Sequence, residues 1–256
     1  MNGFGAFLAK ELQHVLRSYR LVIIAGIFLV LGFMNAPITK LTPQILEMVG
    51  VGGASQIMGI ADPTALEAWA QFFSSVTQMG ILALLLICGN TLSGERSHGT
   101  LVLPLTRGLG RAGIIVVKFL VSSALWSIGL LVATLVSLVC TVVLFPGEGT
   151  EHLALAIAAL WLLGEFLLAL VPLSSVLFKG SFSGLILPGA ALFVTLVLSA
   201  FPEQFFFNPL LLGSEGLAVM AGAQEPLELL APALTTTILA LASLIASTVV
   251  FRKSSV

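Results

Sequence analysis

One carboxylate stands where an apolar chain least tolerates it. Glu165 interrupts the apolar stretch between His152 and Lys179, about a dozen residues from its start, hence on the order of 18–20 Å along a helix. A charge at that depth in a bilayer costs roughly 2.5–3.5 kcal/mol. Glu165 is therefore either a protonated or hydrogen-bonded packing group, or a residue kept at that depth for a function of its own. A second chemically informative segment is Gly94–Leu120, GERSHGTLVLPLTRGLGRAGIIVVKFL. It mixes Arg96, Arg107, Arg111 and Lys118 with Leu101, Leu103 and Leu105, a pattern that suits a surface on which another protein docks better than a solvated linker.

Other familiar chemistries lack their residues. His14, His98 and His152 have no metal-ligand spacing, and Cys88 and Cys140 fall in apolar runs where a thiol packs as a small apolar group. No G-x-x-x-x-G-K-[ST] phosphate loop occurs. Gly108, Gly110 and Gly113 spell G-x-G-x-x-G, but Pro104 spoils a preceding strand and no acid lies between Glu95 and Glu148 to hold a ribose. The expectation is a chain with no catalytic residues, no metal and no cofactor of its own.

The elements that must position these residues follow from composition. The 256 residues are 58% hydrophobic and 9% charged, with a mean hydropathy of +1.11. A soluble domain carries about 25% charged residues, so a soluble enzyme, a disordered chain and a nucleic-acid binder are poor readings. A bilayer core about 30 Å thick takes roughly 20 apolar residues per helix. The runs between Arg20 and Lys40, Glu67 and Glu95, Lys118 and Glu148, Lys179 and Glu203, and Glu228 and Arg252 meet that length, and His152–Lys179 adds one more. Six spans are expected, near Leu21–Ile38, Ala68–Leu92, Ile114–Phe145, Leu153–Phe178, Leu185–Phe201 and Leu230–Phe251. Their continuous apolarity makes them helices rather than the alternating strands of a barrel. The third run exceeds one crossing, so part of it extends beyond the hydrocarbon.

Six spans put both termini on one side, and all 11 Lys and Arg residues except Lys40 fall there. Glu47, Asp62, Glu67, Glu148, Glu151, Glu203, Glu215, Glu225 and Glu228 fall opposite. The positive-inside rule makes the terminal side cytoplasmic. Residues 1–20 are too charged for a cleavable signal and read as an amphipathic interfacial helix. Phe4, Phe7, Leu8, Leu12, Val15, Leu16 and Tyr19 lie on one half of its wheel, and Lys10, Gln13, His14, Arg17 and Arg20 on the other. The external segment 203–228 holds two apolar pieces, Phe205–Leu212 and Leu217–Ala223, too short to span, and is expected to form short re-entrant helices. Residues 94–113 form a cytoplasmic loop, and the whole chain, 1–256, reads as a single all-α transmembrane domain.

The loop resembles the corresponding segment of ABC-2 type transporter permeases, which show an acid, Gly-Thr-Leu, a leucine-rich turn, an Arg, and a Lys opening the third span. Here those are Glu95, Gly99-Thr100-Leu101, Leu103 and Leu105, Arg111, and Lys118-Phe119. KELQHVLRSYRLVIIAGIFLVLG is similar to the family's interfacial helix and first span, Pro37 and TPQIL to its continuation, and FNPLLLG and FRK to its re-entrant segment and C-terminal end. The chain departs from the family at Gly108, where a Pro is often near, at Val117, where a small residue is usual, and at Ser97 or His98, where a second acid is common.

The resemblance implies the membrane subunit of an ATP-binding cassette exporter in the inner membrane of a prokaryote. Two permease chains, as homodimer or heterodimer, would pair with two ATPase subunits that bind ATP and Mg, with no nucleic-acid partner. ATPase coupling would fall to Glu95, Arg96, Gly99, Thr100, Leu101, Leu103, Arg107 and Arg111. The apolar interior and short outer loops suit an amphiphilic or hydrophobic cargo. The alternative is an ion-coupled secondary transporter centred on Glu165, although no internal repeat of the kind such carriers show is evident.

Overall fold

The computed structural model describes residues 3–48, 63–97, 110–147, 151–200, 205 and 207–253. All regular elements among them are helical. Helix α1 (Gly3–Arg17) ends at a two-residue break, where Tyr19 adopts a left-handed φ of 57°. Helix α2 (Arg20–Met48) follows and runs through Pro37 and Pro43. Next come α3 (Ala65–Ser75), a π-helical turn (Val76–Gly80), α4 (Ile81–Cys88) and the short α5 (Ser93–Ser97). The long α6 (Arg111–Leu144) and α7 (Leu153–Leu177) precede a 3-10 turn (Ser183–Leu185) and α8 (Ile186–Leu198). Helix α9 (Leu211–Met220), a 3-10 turn (Pro226–Leu229) and α10 (Leu230–Lys253) complete the fold.

Five helical stretches are long and apolar enough to cross a membrane: Arg20–Ile45, Ala65–Ser97, Arg111–Leu144, Leu153–Leu177 and Pro226–Lys253. This is the character of a multi-pass membrane protein, since helices satisfy their own backbone hydrogen bonds where lipid offers none. Where the sequence reading expects a fifth span, the structure has a shorter apolar helix, Ser183–Leu198, below that crossing length. It ends at Leu198, capped by Ser199 and followed by a turn at Ala200, short of the expected end at Phe201; of that expected span only Phe201 lies outside the described residues.

The helices alternate in direction. Lys40 Nζ donates to the Leu144 carbonyl and sits over the Phe145 ring, bringing the end of α2 to the end of α6. At the far pole, Arg111 Nη1 donates to the carbonyls of Phe251 (2.9 Å) and Arg252 (3.0 Å), joining the start of α6 to the end of α10. The pole that carries both termini is called the terminal pole below. Opposite it, α3 starts from a capping box in which the Thr64 hydroxyl accepts from the Glu67 amide and the Glu67 carboxylate accepts from the Thr64 amide.

Helix α7 is the buried axis, with Glu165 and most of its apolar side chains enclosed by α6, α8, α9 and α10. Two close approaches set its surroundings. A Cβ on Gly32 of α2 would overlap the Ala133 backbone of α6, and one on Gly164 of α7 would overlap the Trp126 indole. Trp126 Nε1 in turn donates to the Trp161 carbonyl at 2.9 Å. Replacing Gly164 with Ala should therefore cost on the order of 1–3 kcal/mol, the range for overpacking, measured as a lowered thermal unfolding midpoint of the purified chain.

The segment before the last span departs in detail from the sequence reading. A single helix, α9, crosses from the first apolar piece into the second, because Gly213 and Gly216 lie inside it as contact points rather than breaks. A Cβ on Gly216 would come within 3.3 Å of the Ala156 backbone. Asn208, fully buried, prepares the turn into α9: its side chain donates to the Thr195 carbonyl (2.8 Å) and accepts from the Leu210 amide (3.1 Å).

Candidate functional site

Helix α1 turns Phe7, Glu11 and Val15 toward the bundle, an i, i+4, i+8 stripe, and leaves Phe4, Leu12 and Leu16 exposed. An acid thus lies in the middle of its buried stripe, which an apolar wheel alone does not anticipate. Its partner is Lys118, two turns into α6 and 6% exposed. Lys118 Nζ donates to Glu11 Oε2 at 2.8 Å and to Glu95 Oε1 at 2.7 Å, so one lysine ties together α1, α5 and α6. Lys10 adds a longer contact to Glu11 Oε1 at 3.4 Å.

Burial pushes the Glu11 carboxyl upward, but Lys118 and Lys10 more than offset this and hold it below its ordinary value of 4.5. For a carboxyl lowered on folding, the stabilisation is complete above the ordinary value and is lost as pH falls through it toward the folded value. Amide hydrogen exchange should accordingly find α1 protected at neutral pH and released below about 4.5. Glu11→Gln should weaken that protection at neutral pH and flatten its pH dependence.

The coupling residues expected from the sequence divide into two groups. Gly99, Thr100, Leu101, Leu103 and Arg107 lie outside the described residues. Glu95, Arg96 and Arg111 flank that segment and are built into the terminal pole. Glu95 belongs to the lysine triad. Arg96 Nη1 donates to the carbonyls of Ser175 (3.0 Å) and Val176 (2.8 Å), satisfying acceptors that the C-terminal end of α7 leaves open. Arg111 does the same for the end of α10, with its guanidinium 5.8 Å from the Phe251 ring centroid. Nearby, Ser93 Oγ donates to the Ser181 carbonyl at 2.5 Å. Both roots of the segment are thus anchored to different helices at the terminal pole.

Glu165 stands apart from this cluster. It lies twelve residues into α7, about 18 Å from its start, and is 6% exposed. Ser123 Oγ of α6 donates to its Oε1 at 2.7 Å. One turn toward the other pole, Trp161 Nε1 donates to Ser127 Oγ at 2.9 Å, so the α6–α7 seam carries a short ladder of polar contacts. Among the described residues no cation forms an ion pair with this carboxylate, and its hydrogen bond to Ser123 fits either ionisation state.

The residues that sequence reasoning missed are Glu11 and Lys118 as partners. A signal was available: Lys118 follows Ile114–Val117 and precedes another apolar run, and a lysine so placed needs a carboxylate. Glu11 and Glu95 are the two acids on the terminal side of the charge map.

No protein-family model matches the chain, and no curated protein is significantly similar to it.

Proposed function

We propose that this chain is the membrane subunit of an ATP-driven exporter of the ABC-2 type, moving an amphiphilic or hydrophobic substrate with ATP hydrolysed by a separate subunit. The observation that carries the reading is the anchoring of both roots of segment 98–109 to one pole, together with α1, through the Glu11–Lys118–Glu95 triad. A segment whose roots are tied to α5, α6, α7 and α10 passes a displacement to several spans at once, as a docked ATPase requires. A plain linker has no use for that bracing.

In this reading Ser183–Leu198 is the fifth of six crossings. It leaves the terminal pole, where Ser174 Oγ donates to the Ser183 carbonyl, and reaches Asn208 and α9 toward the other. Both termini then lie in the cytoplasm of a prokaryotic cell, α1 lies in the inner leaflet, and α9 dips into the outer one. Two such chains and two ATPase subunits make the transporter, and ATP and Mg reside on the ATPases.

Leu101 and Leu103 supply the apolar centre of the dock. Replacing both with Asp should weaken ATPase binding by at least about 2 kcal/mol, roughly thirty-fold, measured by co-purification and by titration of the ATPase onto the chain. Undiminished binding and transport in the double variant would reduce the segment to a connection. The ion-coupled alternative draws on Glu165, and predicts transport that follows a proton gradient without nucleotide.

A further inference from the structure

A cavity of about 580 Å³ opens between α3 with its π turn, α8 and α9. That volume lies in the range of small-molecule sites. Leu192, Leu196 and Leu217 give it apolar walls, while Ser74, Thr77, Gln78, Ser199 and Ser214 place hydroxyl and amide groups around it. The π turn inserts an extra residue per turn into the second span and carries Thr77 and Gln78. Such turns frequently accompany functional sites.

Ser74 and Gln78 are exposed, and lie nine and thirteen residues after Ala65, about 14–20 Å along the span. Hydrocarbon offers nothing to these groups at that depth. Gln78 Nε2 donates to Ser74 Oγ at 3.0 Å, which uses one of the amide's two donor hydrogens and leaves its acceptor oxygen unused. None of the described lining residues is charged. From these described residues a phosphate or carboxylate would find no cation and an ammonium no anion, and burying such a charge unpaired is costly.

We propose that this cavity binds a neutral amphiphile, with an uncharged head bearing hydroxyl, amide or ester groups against Ser74 and Gln78 and an alkyl tail against the leucines. Naming that molecule as cargo rests on the permease reading; the binding itself does not. The same chemistry describes a resident neutral lipid.

The test uses the full chain in amphipol and three radiolabelled probes with the same C18 monounsaturated tail: 1-oleoylglycerol, oleyl phosphate and oleylamine. Saturable binding of 1-oleoylglycerol near one per chain is expected, with the two charged probes at least about tenfold weaker. Gln78→Leu should weaken 1-oleoylglycerol binding by about tenfold, and Ser214→Trp, at the exposed mouth, should abolish it. Both variants change exposed residues, and an unaltered thermal midpoint will verify their fold. Equal binding of all three probes, no saturable binding, or wild-type binding by both folded variants would overturn the proposal. So would loss of self-association in Ser214→Trp without any probe binding to the wild type, which would make the cavity a contact between copies. With the ATPase present, stimulation of hydrolysis by 1-oleoylglycerol identifies cargo, whereas tight retention without stimulation identifies a resident lipid; either supports the site. Failure to find an ATPase would count against the permease reading and leave the binding result standing.

Discussion

Replacing Lys118 with Met is expected to destabilise the terminal pole by about 3–5 kcal/mol, because it leaves Glu11 and Glu95 together without their shared cation, Glu11 being deeply buried. The loss should appear as a lower thermal midpoint of the purified chain and as faster hydrogen exchange in α1. Replacing all three members with apolar residues of similar volume should restore most of the stability, since a buried ion cluster and a well-packed apolar one differ little. The triple variant should nevertheless couple poorly to an ATPase, because the directional bond between α1, α5 and α6 is gone. If Lys118→Met alone leaves midpoint and exchange unchanged, the triad does not hold α1 to the bundle.

The triad marks where the sequence could be read and where it could not. Apolar run length set the long helices and the charge map set which ends meet, so Lys40 against the end of α6 and Arg111 against the end of α10 agree with the segregation of basic and acidic residues. The amphipathic wheel of α1 was legible, but its registration was not: Phe4, Leu12 and Leu16 share the apolar half with Phe7 and Val15, and tertiary contact chose the stripe centred on Glu11. The continuity of α9 through Gly213 and Gly216 was hidden for a related reason. Glycine reads as a break in isolation, whereas here Gly216 permits contact with Ala156. The π turn has no signature in residue type; at its end a Cβ on Gly80 would come within 3.2 Å of the Phe28 ring.

Glu165→Gln is expected to leave the α6–α7 seam assembled and to lower transport by at least roughly tenfold, a barrier change of about 1.4 kcal/mol. Glutamine keeps a carbonyl oxygen to accept from Ser123 and nearly the same volume, so packing around Trp126 and Gly164 survives. What it removes is ionisation, the property for which a carboxyl at midspan repays its insertion cost of about 2.5–3.5 kcal/mol. Transport of a labelled amphiphile into inverted vesicles, with ATPase co-purification as the control for assembly, checks this. Normal transport with full assembly would assign Glu165 to packing through Ser123, and lost assembly would assign it to the stability of the seam.

In the proposed role this chain is the membrane half of an ATP-driven machine. The most direct test of that role is to purify the chain from native membranes in mild detergent and identify what accompanies it, measuring nucleotide hydrolysis before and after the partner is removed. A nucleotide-binding subunit in equal number with the chain, two of each per complex, is expected, with hydrolysis that disappears with that subunit and a stripped chain that binds no ATP. A chain that purifies without any ATPase and carries substrate in vesicles driven by a proton gradient alone would contradict it.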